Sequence, residues 1–173
     1  MSNSVAFDYS VAFSRNLGWV TKDEQARLRN ARVAIAGLGG GGGVHLLTLN
    51  RLGIARFNIA DFDHVEVHNF NRQAGATLAS VGQPKVDVLA RMALDIYLEA
   101  DIELFSEGVT AQNVDGLLCG VDLYVDGIDF FALQARRMVF AACREHGIPA
   151  LTAAPMGMGV SLLYFDPKGH ELR

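Results

Sequence analysis

Residues 31–43 read ARVAIAGLGGGGG, a short apolar run that leads directly into five consecutive glycines. The apolar run is typical of a buried strand, and the apolar segment that continues to about Leu52 is typical of a helix. Gly37, Gly39 and Gly42 fit the pattern G-x-G-x-x-G at this strand-to-helix junction. Such glycines allow a tight turn and let backbone N–H groups and the helix N-terminus approach a phosphate. The stretch therefore predicts a nucleotide-binding turn, with a purely structural glycine turn as the alternative.

The rest of the sequence alternates short apolar runs with longer amphipathic segments. Strands are predicted at residues 31–36, 56–60, 102–105, 121–125 and 149–152, and further helices at residues 84–97 and 131–145. Near-continuous apolar strands separated by helices indicate a parallel sheet that is covered on both faces. The predicted fold is α/β: a doubly wound, Rossmann-like, mostly parallel sheet with helices on both faces and an N-terminal helical arm.

The segment before the first strand, residues 1–30, is predicted to form this arm. Its capping-box sequence, Thr21-Lys-Asp-Glu24, indicates a helix that continues through Arg29. The arm also carries aromatic side chains that are expected to pack against the domain or against a dimer partner: Tyr9, Phe13 and Trp19.

Residues 31–173 are predicted to form the nucleotide-binding domain. Its last strand-like run, residues 159–165, is followed by the turn sequence DPKG at residues 166–169. The chain stops four residues later, where a returning strand would begin. We therefore expect the domain to be C-terminally truncated relative to a longer protein.

Length and composition exclude several classes of protein. With 173 residues, of which half are hydrophobic and 20% charged, the chain can bury a core and is not a disordered tail. We expect neither a membrane span, which needs roughly 20 apolar residues, nor a secretory signal. A formal net charge of −4 argues against nucleic acid as the main partner. The two cysteines, Cys119 and Cys143, form no CxxC motif; both are expected to be structural, and a cytoplasmic location is favoured.

Asp61 closes the second predicted strand, 24 residues after Gly37. An acidic residue at this position hydrogen-bonds a ribose hydroxyl of a nucleotide bound at the glycine turn. A solvated aspartate at a strand end is the alternative. The glycines and Asp61 are equally compatible with NAD and with ATP.

Three polar residues downstream of the turn favour a triphosphate over a dinucleotide: Asn69, Arg72 and Lys85. Pro84 suits the first position of a helix, which places Lys85 in the first turn, where a cation opposes the helix dipole by about 0.3–1 kcal/mol. A bound anion would offset this cost, and a triphosphate needs more positive charge than a pyrophosphate already held by the glycine turn. Solvated surface side chains are the alternative for Arg72 and Lys85.

Asp126 and Asp129 follow the fourth predicted strand, and both are expected to face the crevice at the carboxyl end of the sheet. Asp129 is a candidate ligand of Mg²⁺, which usually takes one or two protein carboxylates together with phosphates and water. The N-cap of the next helix is another role open to Asp129. A metal cluster around His64 and His68 is not expected, since these residues alternate in an extended loop.

Taken in order along the chain, these motifs resemble the ThiF/MoeB/HesA family of adenylating proteins, which includes the ubiquitin-activating enzymes. They are Ser14-Arg15, the glycine pattern, D-x-D-x-V-x-x-x-N-x-x-R-Q from Asp61, G-x-x-K from Gly82, and D-x-x-D from Asp126. The resemblance extends from about residue 13 to residue 165. It implies an enzyme that uses ATP and Mg²⁺ to adenylate a C-terminal carboxylate, usually the diglycine tail of a ubiquitin-like or sulfur-carrier protein, and that releases pyrophosphate.

The resemblance also implies a homodimer and a role for each site residue. The nucleotide turn would consist of Gly37, Gly39, Gly40 and Gly42. The ribose would be held by Asp61, the phosphates by Asn69, Arg72 and Lys85, and Mg²⁺ by Asp129. From the partner subunit, Arg15 would reach into the neighbouring site.

The chain departs from the family pattern at several positions. Gly41 and Gly43 replace the usual Leu and Ser of the turn, which should loosen it. Phe130 replaces an Asn that would supply a polar contact, and the arginine of the following helix, Arg136, is displaced by two residues.

Two other functions are compatible with parts of this pattern. An NAD- or FAD-binding Rossmann oxidoreductase would explain the glycines and Asp61 but would leave Arg72, Lys85 and Asp129 without a role. A non-catalytic scaffold half of an activating dimer would keep the fold, although such halves tend to lose the arginine and aspartate positions that are present here.

Overall fold

A single sheet organises residues 6–169, the part of the chain that the computed structural model describes. Within that range its six strands are β1 (Arg32–Ala36), β2 (Arg56–Ala60), β3 (Asp101–Phe105), β4 (Leu123–Asp126), β5 (Ala150–Met156) and β6 (Gly159–Phe165). Their order across the sheet is β3-β2-β1-β4-β5-β6. All neighbouring pairs are parallel except β5 and β6, which are antiparallel. The mostly parallel, Rossmann-like sheet predicted from the sequence is confirmed.

Helices cover both faces of this sheet, as predicted. The described α-helices are α1 (Tyr9–Ala12), α2 (Lys22–Asn30), α3 (Gly42–Arg51), α4 (Lys85–Ile96), α5 (Val114–Leu117) and α6 (Leu133–His146). One face of the central strands packs against α3 and α4 through a cluster that includes Ile35, Leu46 and Leu89. The other face packs against α5 and α6 through a cluster that includes Leu117 and Val139.

Local sequence signals explain where several of these elements begin and end. At the start of α2, Thr21 Oγ1 accepts a hydrogen bond from Glu24 N while Glu24 Oε2 accepts one from Thr21 N, so the predicted capping box is present. At the end of α3, Gly53 has φ +97°, a conformation that suits glycine. All five residues of β1 are buried, as expected for a central parallel strand. The sequence did not predict α1 and α5, because four residues are too few to show a helical period.

The N-terminal helices pack at the end of the sheet where the parallel strands begin. Tyr9 Oη donates a hydrogen bond to Gly53 O at 2.8 Å, just before β2. The Tyr9 and Phe13 rings lie 4.6 Å apart and contact Tyr97, which follows α4. Trp19, by contrast, is 93% exposed, so the predicted packing against the domain holds for Tyr9 and Phe13 but not for Trp19.

The antiparallel hairpin of β5 and β6 forms one edge of the sheet. The predicted turn after β6 is present, since Gly169 N donates to Asp166 O at 2.9 Å. Residues 170–173, on which the expectation of a truncated domain depends, lie outside the described part of the chain. No helix within residues 6–169 is both long enough and apolar enough to span a bilayer.

Candidate nucleotide-binding site

The glycine turn after β1 crosses the loop after β4 with backbone against backbone. A Cβ on Gly37 would overlap the carbonyl oxygen of Gly127, and a Cβ on Gly42 would overlap the carbonyl oxygen of Gly37. Gly37 also has φ +81°, which disfavours any other residue. Gly39 and Gly40 have no such backbone neighbour and line the adjacent cavity. The run therefore contains glycines that the close crossing requires and glycines that leave the turn open to a ligand.

A cavity of about 360 Å³ lies at the carboxyl ends of β1, β2 and β4, beside this turn. Its lining includes eight of the residues singled out from the sequence: Gly37, Gly39, Gly40, Asp61, Asn69, Arg72, Lys85 and Asp129. The topology brings them together because the carboxyl ends of parallel strands meet at the same edge of the sheet. Gly42 lies behind the turn and does not line the cavity.

Asp61 connects the second strand to the glycine turn. The side chain is largely buried; its Oδ2 accepts a hydrogen bond from Leu38 N at 2.6 Å, and its Oδ1 accepts one from Asp63 N at 2.8 Å. The interpretation as a solvated strand-end aspartate is therefore wrong. A carboxylate can accept about four hydrogen bonds, so Asp61 retains the capacity to bind a ribose hydroxyl.

Lys85 is buried, not a solvated surface lysine. Only 6% of the residue is exposed, and Nζ donates to Asp63 Oδ2 at 2.8 Å. Helix α4 begins at Lys85, and Pro84 is its N-cap and not its first residue. The sequence placed Lys85 in the first turn correctly but gave no sign of its partner, which lies 22 residues earlier.

Arg72 lies on the exposed side of the same cavity. Its Nη1 donates to His68 O at 3.1 Å and to Asn71 Oδ1 at 3.0 Å. Its aliphatic part lies beside Gly40, where an added Cβ would sit 3.4 Å from Arg72 Cγ. The side chain is thus placed next to the glycine turn, with its charge open to solvent.

Asn69 is almost fully buried at the end of a 3₁₀ turn formed by residues Val67–Asn69. Its Oδ1 accepts a hydrogen bond from Glu66 N at 2.9 Å. Among residues 6–169, Nδ2 has no hydrogen-bond partner. Because Asn69 lines the cavity, this nitrogen is available to donate to a ligand.

Asp129 and Asp126 have different roles, contrary to the expectation that both face the crevice. Asp129 lines the cavity, and its Oδ1 accepts a hydrogen bond from Phe131 N at 2.9 Å. Since α6 begins only at Leu133, Asp129 is not its N-cap. Asp126 is buried and forms an ion pair with Arg136, whose Nη2 lies 2.7 Å from Asp126 Oδ2.

This ion pair shows what the displaced helix arginine does. Arg136 does not line the cavity; it neutralises a carboxylate whose side chain is only 1% exposed. A buried carboxylate left without its partner would be strongly destabilising. Burial, together with the neighbouring Asp126 charge, raises the pKa of the Tyr124 phenol well above its ordinary value.

The apolar wall of the cavity was not identified from the sequence. It includes Phe62, Val109 and Ile128, together with Gly108. Gly108 has φ +70°, and an added Cβ would come within 2.8 Å of the Phe62 ring. The only sequence signal was the placement of Phe62 between the two aspartates of the D-x-D pattern. Val109 and Ile128 follow different strands, so their proximity depends on the fold.

Arg15 does not belong to the cavity of its own chain. It is exposed in a 3₁₀ turn formed by Ser14–Asn16, within the N-terminal segment that packs where the parallel strands begin. The glycine turn lies at the other end of those strands.

A second, larger groove of about 450 Å³ lies between α6 and β6 and contains none of the predicted site residues. Its lining includes Phe140, Phe165 and Cys143. Cys143 is 2% exposed, and burial raises the pKa of its thiol to about 12. The prediction that Cys143 is a packing residue is confirmed, whereas Cys119 is exposed.

The fold defines an α/β domain of the Rossmann type, with a cavity at the carboxyl ends of its parallel strands. The model of the ThiF family matches residues 13–172. The chain therefore belongs to the ThiF family.

Several relatives are similar over most of this chain. The tRNA threonylcarbamoyladenosine dehydratase of Bacillus subtilis is 32% identical over 142 residues, which cover 82% of this chain and 55% of that protein. The sulfur carrier protein ThiS adenylyltransferase of Escherichia coli is 27% identical, over 86% of this chain and 58% of that protein. This chain thus spans a little over half the length of these relatives.

Solved structures agree with this relationship. The Escherichia coli tRNA N6-threonylcarbamoyladenosine dehydratase in complex with ATP is 27% identical, with a TM-score of 0.79 over 86% of this chain and 61% of that one. PaaA has a TM-score of 0.82 over 98% of this chain and 55% of that one, but at 23% identity it shows a shared fold alone.

Proposed function

We propose that this domain binds ATP with Mg²⁺ in the cavity beside the glycine turn and transfers AMP to the carboxylate of an acceptor. The observation that supports this most directly is the gathering of Asp61, Asn69, Arg72, Lys85 and Asp129 in one cavity. Membership of the ThiF family counts against an NAD- or FAD-dependent oxidoreductase.

The cavity offers apolar side chains for the base of ATP and polar groups for its ribose and phosphates. The base would lie against the apolar wall of Phe62, Val109 and Ile128, and the ribose hydroxyls would reach Asp61. The phosphates would then lie along Gly39 and Gly40, within reach of the donors Asn69 Nδ2, Arg72 and Lys85. In this orientation Asp61, Asn69, Arg72 and Lys85 each face a group of ATP that they can bind.

The proposed reaction needs positioning and charge neutralisation more than a reactive side chain. An oxygen of the acceptor carboxylate attacks the α-phosphorus, the bond from that phosphorus to the bridging oxygen breaks, and pyrophosphate leaves with the bonding pair. Arg72 and Lys85 would stabilise the negative charge that develops on the leaving group. The inertness of Cys143 is compatible with this step, since no thiolate is required.

Asp129 is the residue proposed to hold Mg²⁺. Its second carboxylate oxygen has no partner among the described residues, and the cavity is open beside it. No group of three or more His, Cys, Asp or Glu side chains suited to a metal occurs within residues 6–169. One carboxylate completed by phosphate oxygens and water suits Mg²⁺. When bound, the ion would supply charge neutralisation on the phosphates.

We also propose that two copies of the chain form a homodimer in which Arg15 enters the partner's cavity. Its distance from its own cavity supports a role across an interface. A cytoplasmic location also remains a prediction. The alternative to an enzyme is a non-catalytic scaffold half of an activating dimer, which would bind its partner but show no adenylation activity.

The acceptor we favour is the C-terminal tail of a ubiquitin-like or sulfur-carrier protein. Residues 147–165 contain no charged side chain. The β5–β6 hairpin exposes Met156, Met158 and Val160 at the carboxyl end of β5, which is the end of the sheet where the cavity lies. An apolar surface on a chain of net charge −4 suits a protein segment better than a polyanion. A tRNA-linked carboxylate is the second candidate, because several relatives are named tRNA threonylcarbamoyladenosine dehydratases.

ATP–pyrophosphate exchange tests the proposal directly. The chain is assayed with Mg-ATP, with candidate carrier proteins and unfractionated tRNA added one at a time, beside the variant Asp129→Ala. Exchange that depends on a carrier protein and is absent in the variant is expected. Thermal stabilisation by NAD but not by Mg-ATP, measured on the same samples, would instead support the oxidoreductase alternative.

A further inference from the structure

Asp63 places a negative charge in the cavity that is proposed to hold a polyanion. The residue lines the cavity, and its side chain is 51% exposed. In a simple electrostatic view, this carboxylate repels the phosphates and weakens their binding. If Asp63 favours phosphate binding, another contribution of this side chain must exceed the repulsion.

The carboxylate is bound to the buried lysine of the same cavity. Asp63 Oδ2 accepts a hydrogen bond from Lys85 Nζ at 2.8 Å, and Asp63 O accepts one from Lys85 N at 3.0 Å. The Lys85 side chain is only 8% exposed, so it has little solvent to replace a lost partner. Two residues that are distant in sequence are thus joined through both side chain and backbone.

The backbone around this pair is fixed as well. Val65 N donates to Gln83 O at 2.9 Å, and Gly82 N donates to Val65 O at 2.8 Å. An antiparallel β-bridge joins His64 to Pro84, between the Val65–Gln83 bond and the backbone bond from Lys85 to Asp63. The segment after β2 and the segment before α4 therefore form a short ladder, and the Asp63–Lys85 pair stands at its end beside the cavity.

We propose that Asp63 is a positioning residue, which holds the Lys85 ammonium against the cavity wall with its remaining donors directed at the phosphates. A lysine side chain loses conformational freedom when it is fixed, which costs free energy. A partner that already fixes it removes this cost from ligand binding. An ammonium has three N–H donors, so two remain for phosphate oxygens after Asp63 has accepted one.

The inference rests on the proposed ATP site, and a double-mutant cycle separates the two. The Kd of Mg-ATP is measured by calorimetry for the full chain, for Asp63→Ala, for Lys85→Ala and for the double variant. Asp63→Asn keeps an oxygen that can accept from Lys85, and Asp87→Ala removes an exposed acid from the first turn of the same helix as a matched control. Adenosine, which lacks phosphate, is titrated in parallel by ligand-observed NMR.

We expect Asp63→Ala to weaken Mg-ATP binding roughly tenfold, Asp63→Asn to stay near the unmodified chain, and Asp87→Ala to have no effect. In the Lys85→Ala background, Asp63→Ala should cause no further loss, and adenosine affinity should not change. Tighter binding by Asp63→Ala, an equal loss in both backgrounds, or loss of adenosine affinity would each overturn the inference. If Asp63→Asn reduced the affinity for Mg-ATP as much as Asp63→Ala does, the carboxylate would act through its charge, for instance on a divalent ion. That result would also overturn the inference. Failure of the unmodified chain to bind Mg-ATP would refute the proposed function itself.

Discussion

The Asp61 carboxylate accepts a hydrogen bond from the backbone N–H of Leu38 at 2.6 Å, and this bond ties the end of β2 to the glycine turn after β1. Hydrogen bonds to an ionised group are typically worth about 1.5–3 kcal/mol. Asp61 therefore stabilises the turn whether or not a nucleotide is bound. Its proposed contact with ribose is a second role for the same side chain.

Removal of this carboxylate should be felt in stability as well as in binding. Asp61→Ala should lower the free energy of unfolding by about 1–3 kcal/mol, because Leu38 N and Asp63 N lose their acceptor. Urea denaturation measures the change, with Asp95→Ala on the exposed side of α4 as the control. A variant as stable as the unmodified chain would show that the bond to Leu38 contributes nothing.

Arg15 and Asp129 should complement each other between subunits. Each of Arg15→Ala and Asp129→Ala should lose Mg²⁺-dependent exchange activity while remaining folded, because neither side chain belongs to the core. A mixture of the two variants should regain part of the activity, since one of the two sites in a hybrid dimer would be complete. Activity that stays absent at every mixing ratio would argue against a shared site.

The two cations of the cavity should respond differently to salt. Arg72 is exposed and screened by ions, whereas Lys85 is buried beside Asp63 and is screened much less. The affinity for Mg-ATP should fall as KCl is raised, and Arg72→Ala should flatten this dependence more than Lys85→Ala does. Equal slopes for the two variants, measured by calorimetry, would contradict the different environments of the two side chains.

The Cys143 thiol gives a prediction for high pH. Burial raises its pKa from the ordinary value of 9.0 to about 12, so the folded state favours the protonated thiol. The resulting contribution to stability is complete below pH 9 and is lost as the pH rises toward 12. Cys143→Ala should therefore show a shallower loss of stability across this range. At pH 8, a thiol reagent should label Cys119 alone until denaturant is added.

Much of the fold could be predicted because its signals are local. The apolar run before Gly37, the capping box at Thr21 and the helix-ending Gly53 each depend on neighbours within a few residues. The carboxyl-edge rule then placed Asp61 and Asp129 in one crevice without coordinates.

The remaining features depend on contacts that sequence spacing does not encode. The burial of Lys85 depends on Asp63, and the orientation of Asp126 depends on which face of α6 carries Arg136. Asp126 ends β4 and Asp129 follows it closely, yet only Asp126 forms an ion pair with an arginine, the partly buried Arg136. The apolar wall of the cavity likewise combines residues that follow separate strands.

The crossing of Gly37, Gly42 and Gly127 has a consequence for any attempt to vary this protein. At each position a side chain would overlap the backbone of another of these glycines. A larger residue at one position therefore cannot be accommodated by a smaller residue at its neighbour, because the neighbour is already glycine. Libraries should keep these three codons fixed and diversify Gly39, Gly41 and Gly40, where space for a methyl group exists. Ligand selectivity can thus be varied at Gly39, Gly40 and Gly41 without disturbing the close backbone contact between the turn and Gly127 after β4.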